Sequence, residues 1–477
     1  MYLSKRFAAL PPHKKLRARL TLYGSLAALF VALALIVAYL ARPSARGYDE
    51  GWVQADFIDR QEVRLLQEYV RIDTSPTTGS ELAGALFLAE QLKAAGLEPH
   101  IERFSGDRAN LWAIVEGESR DAVVLHNHID VYPVTNPQDW EFPPFAGVID
   151  KAWLYGRGTF DMKSVTIAQL LAMIDLAHSV DKPKRSVIFL ATGSEEVGSH
   201  LGSQWILARH PELVDRFSLV LTEGGVVEAL SHEEIKFWGI EFAQKWFAQG
   251  WACAASRQRL EDLQQDLDQH SDSNHELRLT PEVESFLASY AASRAAETYQ
   301  KILSDTQEAL YHPDRFDSLP AYLKSLYRNE IATFPIEEDP EGGFRMRLIL
   351  HLLPHADFES ERQKLLPDWI LNGVSLALES PAGAPFGSPE NHPALDTITD
   401  VIHETYPSAT VGPYFLVWSA TDSRFYRAYD IPSYGFSPFL IFSTDTFRRD
   451  TDNERIGLPG FLGGVELYCK VLHRLAN

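Results

Sequence analysis

Between residues 122 and 196, three apolar runs each stop at a short polar cluster. Val-Val-Leu leads into His126-Asn127-His128-Ile129-Asp130. Trp-Leu-Tyr-Gly-Arg-Gly leads towards Asp161. Val-Ile-Phe-Leu-Ala-Thr leads towards Glu195-Glu196. Short β-branched and aliphatic runs bounded by turn residues read as buried strands. An open parallel sheet offers its site beyond the carboxyl ends of such strands. Taken singly, each cluster has an ordinary explanation. A His-x-Asp caps a turn, a Glu-Glu pair suits a helix start, and Asp161 serves as an N-cap. Taken together they gather carboxylates and imidazole at buried strand ends, which is costly unless a cation holds them. The set is ligand chemistry for a hard or borderline divalent metal with a carboxylate to spare. It points to metal-assisted hydrolysis.

The surrounding chain alternates strand and helix. Helices are predicted over 53–72, 81–95 (stopped by Gly96) and 165–179, with strands over 99–104, 110–115, 122–125, 186–191 and 218–221. This pattern predicts an α/β fold, a mainly parallel sheet with helices on both faces. The rhythm breaks after Val226. Residues 258–276 are polar, read as a helix and loop, and Thr280-Pro281-Glu282 starts a helix predicted to reach Tyr311. Strands over 344–353 and 369–378 flank a helix over 358–366. A Pro/Gly linker at 380–389 then restores the first pattern, with a helix over 394–406 and a strand over 415–418. The expected organisation is a basic segment 1–19, an apolar span 20–41, a linker 42–51, a catalytic domain in two parts (52–230 and 385–477) and an inserted α+β segment 231–384.

The span 20–41 has no charged residue and as a helix would measure ~33 Å, enough to cross a bilayer core. Lys5, Arg6, Lys14, Lys15, Arg17 and Arg19 precede it, which predicts a cytoplasmic N-terminus and a catalytic part on the other side. A cleaved signal peptide is the alternative, though the run is long for one. Residues 1–47 hold eight Lys/Arg and no Asp/Glu, so of the chain's net charge of −21 the remainder carries −29. A surface that acidic argues against nucleic acid as a partner. Cys253 and Cys469 alone make neither a disulfide framework nor a thiolate metal cluster.

The segments LHNHIDVYPV (125–134), WEFPPF (140–145), YGRGTFDMKS (155–164) and TGSEEVGS (192–199) stand in order and register. They resemble the aminoacylase/carboxypeptidase family of co-catalytic zinc hydrolases, with the membrane-anchored carboxypeptidase S branch the most similar. LLQEYVRIDTSP (65–76), LVLTEGG (219–225) and SATDSRFY (419–426) extend the likeness from about Val53 to the C-terminus. The resemblance implies a zinc-exopeptidase-like fold, two zinc ions per chain (cobalt or manganese as substitutes), and a lid that also dimerises. It implies His128 as a ligand of one metal, Asp161 as the carboxylate bridging both, and Glu196 on the second. Asp130 would hold the His128 ring, and Glu195 would be the general base passing a proton from the attacking water to the leaving nitrogen. The Asp161–Met162 bond would be cis.

Several positions depart from that pattern. Thr222 stands where a metal-binding Asp is expected, and Glu223 can replace it only if the strand end bends, because strand neighbours face opposite ways. Asp450 stands where the final His ligand is expected, before an intact Asn453-Glu454-Arg455-Ile456. The lid lacks the family's Gly-Gly-His-Ser histidine. His351 replaces the Arg of an Arg-Leu-Leu-Pro motif, and His270 and His275 read as solvated loop residues. Arg424 is expected either to hold a substrate carboxylate or to sit in a structural ion pair. Two readings follow. One is a metal-dependent amidohydrolase acting on a short peptide or an N-acyl amino acid. The other is a metal-depleted homologue serving as a membrane-tethered peptide-binding or interaction module.

Overall fold

The computed structural model describes residues 52–477 except 230, 232–233, 274–275, 294–306, 443–444 and 446–448. The predicted anchor at 20–41 and His275 lie outside the described residues. Among the described residues, no helix is long and apolar enough to cross a membrane.

In chain order the strands are β1 (His100–Arg103), β2 (Ala109–Val115), β3 (Ser119–His128), β4 (Val148–Asp150), β5 (Trp153–Tyr155), β6 (Arg185–Thr192), β7 (Phe217–Thr222) and β8 (Val226–Ala229). They continue with β9 (Ile235–Gln244), β10 (Trp246–Ala254), β11 (Glu330–Glu338), β12 (Phe344–Leu352), β13 (Ser375–Leu378), β14 (Val411–Leu416), β15 (Ser433–Gly435) and β16 (Arg455–Gly457). The helices that matter here are α1 (Glu81–Ala94), α2 (Lys163–Ala177), α3 (Ser203–Arg209), α4 (Arg257–Ser273), α5 (Pro281–Ala292), α6 (Ser423–Arg427) and α7 (Leu458–Ala476).

Nine strands make one sheet in the order β1-β2-β6-β3-β7-β15-β9-β14, with β8 paired to β9. Its centre, β6-β3-β7-β15, is parallel, and the antiparallel pairs lie outside that run. Successive side chains on a strand face opposite ways, and β3 and β6 use both faces. Val123, Leu125, Val187 and Phe189 join the core under α2 and α7, while Ala122, Val124, Ile188 and Leu190 pack with Ile206 of α3 and Phe425 of α6. Burial on both faces is why these strands read as unbroken apolar runs.

The segment 231–384 contributes to two cores. β9 belongs to the large sheet, and α5 packs its Val283, Phe286 and Leu287 into the main core. β11-β12-β10-β13 form a separate antiparallel sheet. Under it, Ala248, Leu260, Leu263, Leu348 and Leu350 make a second core with α4. Some predicted elements are corrected. The helix from Pro281 ends at Ala292, because Ser293 is extended (φ −86°, ψ 161°). The strand predicted over 369–378 is only Ser375–Leu378, with Trp369 63% exposed on a turn. The helix predicted over 53–72 is Gln61–Val70 after a single tight turn. β9, β10 and β11 were not predicted.

Candidate active site

β3, β6 and β7 end side by side, and each delivers part of the site from its carboxyl end. His128 is the last residue of β3 and is buried. Its Nδ1–H donates to the Asp130 carbonyl oxygen at 2.8 Å, which turns Nε2 towards Asp161 Oδ1 at 3.1 Å and Glu223 Oε1 at 3.6 Å. That contact fixes the tautomer a metal ligand needs. Asp130 thus holds the ring through its backbone oxygen, while the nearer oxygen of its carboxylate is 3.8 Å from Nδ1. The carboxylate instead accepts the amides of Glu195 and Glu196, at 3.0 Å each. The reason lies in the turn that follows β6. Ser194 (φ 65°) and Gly198 (φ 99°) bracket one tight helical turn, Glu195–Val197, whose first amides have no partner of their own.

Asp161 rides on the loop after β5, and Glu454 shapes that loop. Fully buried, Glu454 accepts from the amides of Phe160 (2.6 Å), Gly158 (3.1 Å) and Asp161 (3.2 Å) and from the Arg157 guanidinium (2.6 Å). The Asp161–Met162 peptide is cis. Thr222 does not stand at a ligand position. It ends β7 with its hydroxyl 2.9 Å from Nδ1 of buried His126. Glu223 follows the strand end, ahead of Gly224 in a left-handed conformation (φ 109°), and its carboxylate joins His128 and Asp161. The bend demanded of the strand end is present.

Three groups have ligand atoms within 4.8 Å of one another: His128, Glu195 and Glu196, and the two donor sets His128, Asp161 and Glu223, and Asp161, Glu196 and Asp450. Asp161 belongs to both donor sets. Burial, reinforced by neighbouring carboxylates, pushes the Glu195, Glu196, Glu223 and Asp450 carboxyls above the usual range. Burial opposes charge on His128 too, but hydrogen bonds to Asp161 and Glu223 and the surrounding negative charge outweigh it and raise its pKa. For Asp161, burial is outweighed by His128 and Arg449, and its pKa falls. So crowded an acidic cluster is relieved by cations. Glu196 Oε1 and Asp450 Oδ1 are buried without a hydrogen-bond partner, as two oxygens reserved for a metal would be. The donor sets therefore fit divalent ions.

A cavity of about 280 Å³ opens over these groups. Glu195 lines it, with Arg424 from the large-sheet body and Gln249, Arg347 and His351 from the second sheet. Arg424 makes no ion pair among the described residues; its guanidinium donates to the Thr421 carbonyl at 2.7 Å. His270 is elsewhere, on α4, bonded to the Lys364 carbonyl. Sequence reasoning missed Arg347 and Arg449. Arg449 lies beside Asp450, its Nε 3.6 Å from Asp161 Oδ2.

A carboxylate shared by two donor sets, with a further carboxyl beside them at the strand ends of an α/β sheet, is an arrangement able to hold two divalent ions next to a general base. The family assignment agrees. Residues 124–474 match the family described as Peptidase family M20/M25/M40, and the chain belongs to it. A protein of Staphylococcus epidermidis named "Probable succinyl-diaminopimelate desuccinylase" is 32% identical over 165 residues, 35% of this chain and 40% of that one. The chain thus spans under half the length of that relative. An M20 family metallo-carboxypeptidase from Sulfolobus solfataricus superposes with a TM-score of 0.65 at 16% identity, over 87% of this chain and 99% of that one. A di-peptidase of Saccharomyces cerevisiae gives 0.63 at 14% identity, over 88% and 97%. Those structures share the fold.

Proposed function

We propose that the protein hydrolyses an amide bond next to a free carboxylate, in a short peptide or an N-acyl amino acid, using two divalent metals. The observation that carries this reading is that Asp161 faces two donor sets at once, with Glu195 beside both. His128, Asp161 and Glu223 would hold one ion, and Asp161, Glu196 and Asp450 the other, with zinc the first candidate. Ions bound there would supply Lewis-acid polarisation of the scissile carbonyl and acidify water. Glu195 takes the proton of the attacking water and returns it to the leaving nitrogen. Its raised pKa suits a group that must hold a proton between those steps. Asp130 keeps the Glu195–Glu196 turn in place. Arg424, free of ion pairs among the described residues, pairs with the substrate carboxylate. The 20–41 span would anchor the chain with this site on the non-cytoplasmic side, and the separate sheet within 231–384 would supply the lid.

The test is metal content together with hydrolysis of dipeptides and N-acyl amino acids by the full-length chain, beside Glu195→Gln. Bound metal, with turnover lost in Glu195→Gln and binding kept, is the expected result. A chain that takes up neither zinc, manganese nor cobalt and turns nothing over refutes it, and leaves the binding-module reading.

A further inference from the structure

The two donor sets are not equivalent, and the residue that separates them is Arg449. Asp161 Oδ1 faces the imidazole of His128 at 3.1 Å, whereas Oδ2 faces Arg449 Nε at 3.6 Å. The same Nε lies 3.7 Å from Asp450 Oδ2. Arg449 therefore touches two of the three carboxylates of the second set, but in the first set only the shared Asp161. Glu223, of the first set, has no Arg or Lys at ion-pair distance among the described residues; its close partner is His128. A guanidinium stays protonated at any working pH. An ion entering the second set must push Arg449 aside or endure it as a like charge. Donor chemistry adds to the difference. The first set has a nitrogen ligand, which suits zinc, while the second offers oxygen alone, which suits manganese or another hard ion.

We propose that Arg449 makes this an unequal two-metal site: a tight zinc position at His128, Asp161 and Glu223, and a weak oxygen-only position at Asp161, Glu196 and Asp450, where the guanidinium competes with the incoming ion. The inference rests on the two-metal reading above and adds an order of filling to it. The second ion becomes the exchangeable one, so the metal supply sets how much of the protein is fully loaded.

The experiment reads metal binding without activity. Full-length protein stripped with chelator is titrated calorimetrically with zinc and with manganese. Metal retained after gel filtration is counted by mass spectrometry. Wild type is expected to keep one zinc per chain, with a second step that needs on the order of tenfold more free ion and shows a smaller zinc-over-manganese preference. Arg449→Gln is expected to narrow that gap by on the order of tenfold with the first step unmoved, and Arg449→Lys to preserve it. Two equally tight ions in wild type, or a gap unaltered by Arg449→Gln, overturns the role of Arg449 and leaves the two-metal reading standing. No metal at either position overturns both. If Arg449→Gln does not fold, as judged by circular dichroism, the wild-type isotherm still decides, because equal steps refute the inference alone.

Discussion

Replacing Asp130 with Asn separates two roles that a His-x-Asp motif leaves merged. The carboxylate accepts two backbone amides, from Glu195 and Glu196, at 3.0 Å each, in a fully buried position. Asn has one acceptor oxygen, so one amide keeps its bond, without the charge, while the other meets an NH2 donor. Losing a charge-assisted bond and leaving a buried amide unpaired costs about 2–4 kcal/mol. If that loss falls on the placement of Glu195, turnover drops by about 30- to 1,000-fold, at 1.36 kcal/mol per tenfold. The His128 ring is held by the backbone carbonyl of residue 130, which Asn retains. Binding of the first zinc should therefore move by less than about threefold, a change smaller than one ordinary hydrogen bond. Steady-state kinetics and zinc titration of the same preparation make the comparison. Zinc affinity collapsing while the remaining loaded enzyme turns over normally would mean that the carboxylate orients His128 after all, and that the turn does not depend on it.

Three further outcomes follow from the geometry. Thr222→Val removes the hydroxyl from His126 and should lower stability by about 1 kcal/mol with metal content intact, whereas Glu223→Gln should lose the first metal; a melting curve and a metal count distinguish them. Glu454→Ala strands the buried Arg157 guanidinium and frees three amides of the Asp161 loop. A loss of about 3–5 kcal/mol in chemical denaturation is expected, with a wild-type midpoint as the refuting result. Burial, helped by nearby Lys245, lowers the pKa of His351 from 6.5 to about 4. Between those values the unfolded chain binds a proton that the folded chain does not, so stability present above pH 6.5 is lost as the pH falls towards 4. His351→Gln should flatten that stretch of the pH–stability curve, and an unchanged slope would assign it to other groups.

The sequence was most legible where local chemistry and tertiary demand coincide. β3, β6 and β7 are buried on both faces, so their apolar runs announced them, and the turn chemistry that ends each run carried the ligands. His128, Glu195 and Glu196 could be picked out because each sits within a residue or a few of such an ending, whereas Asp161 lies further on, in the loop after β5 of a separate small sheet. Thr222 and Glu223 show where that logic stops. Strand periodicity says which neighbour faces which side only while the strand lasts. β7 ends at Thr222, so the rule that made Glu223 conditional on a bend had no hold on it. The lid strands β10 and β11 face a small core on one side and a cavity on the other, where Phe247 and Phe334 put aromatic side chains and blur the apolar–polar alternation that would have revealed them. Arg449 gave no signal, because a guanidinium acquires meaning only from what it approaches. Its neighbours Asp161 and Asp450 are brought together by Glu454, which accepts the Asp161 loop, and by Arg157, which bonds both Glu454 and the Asp450 carbonyl at 3.1 Å. Local pattern fixes which residues a site has to draw on. Long-range contacts of this kind decide how the charges among them are apportioned, and with them which metal position fills first.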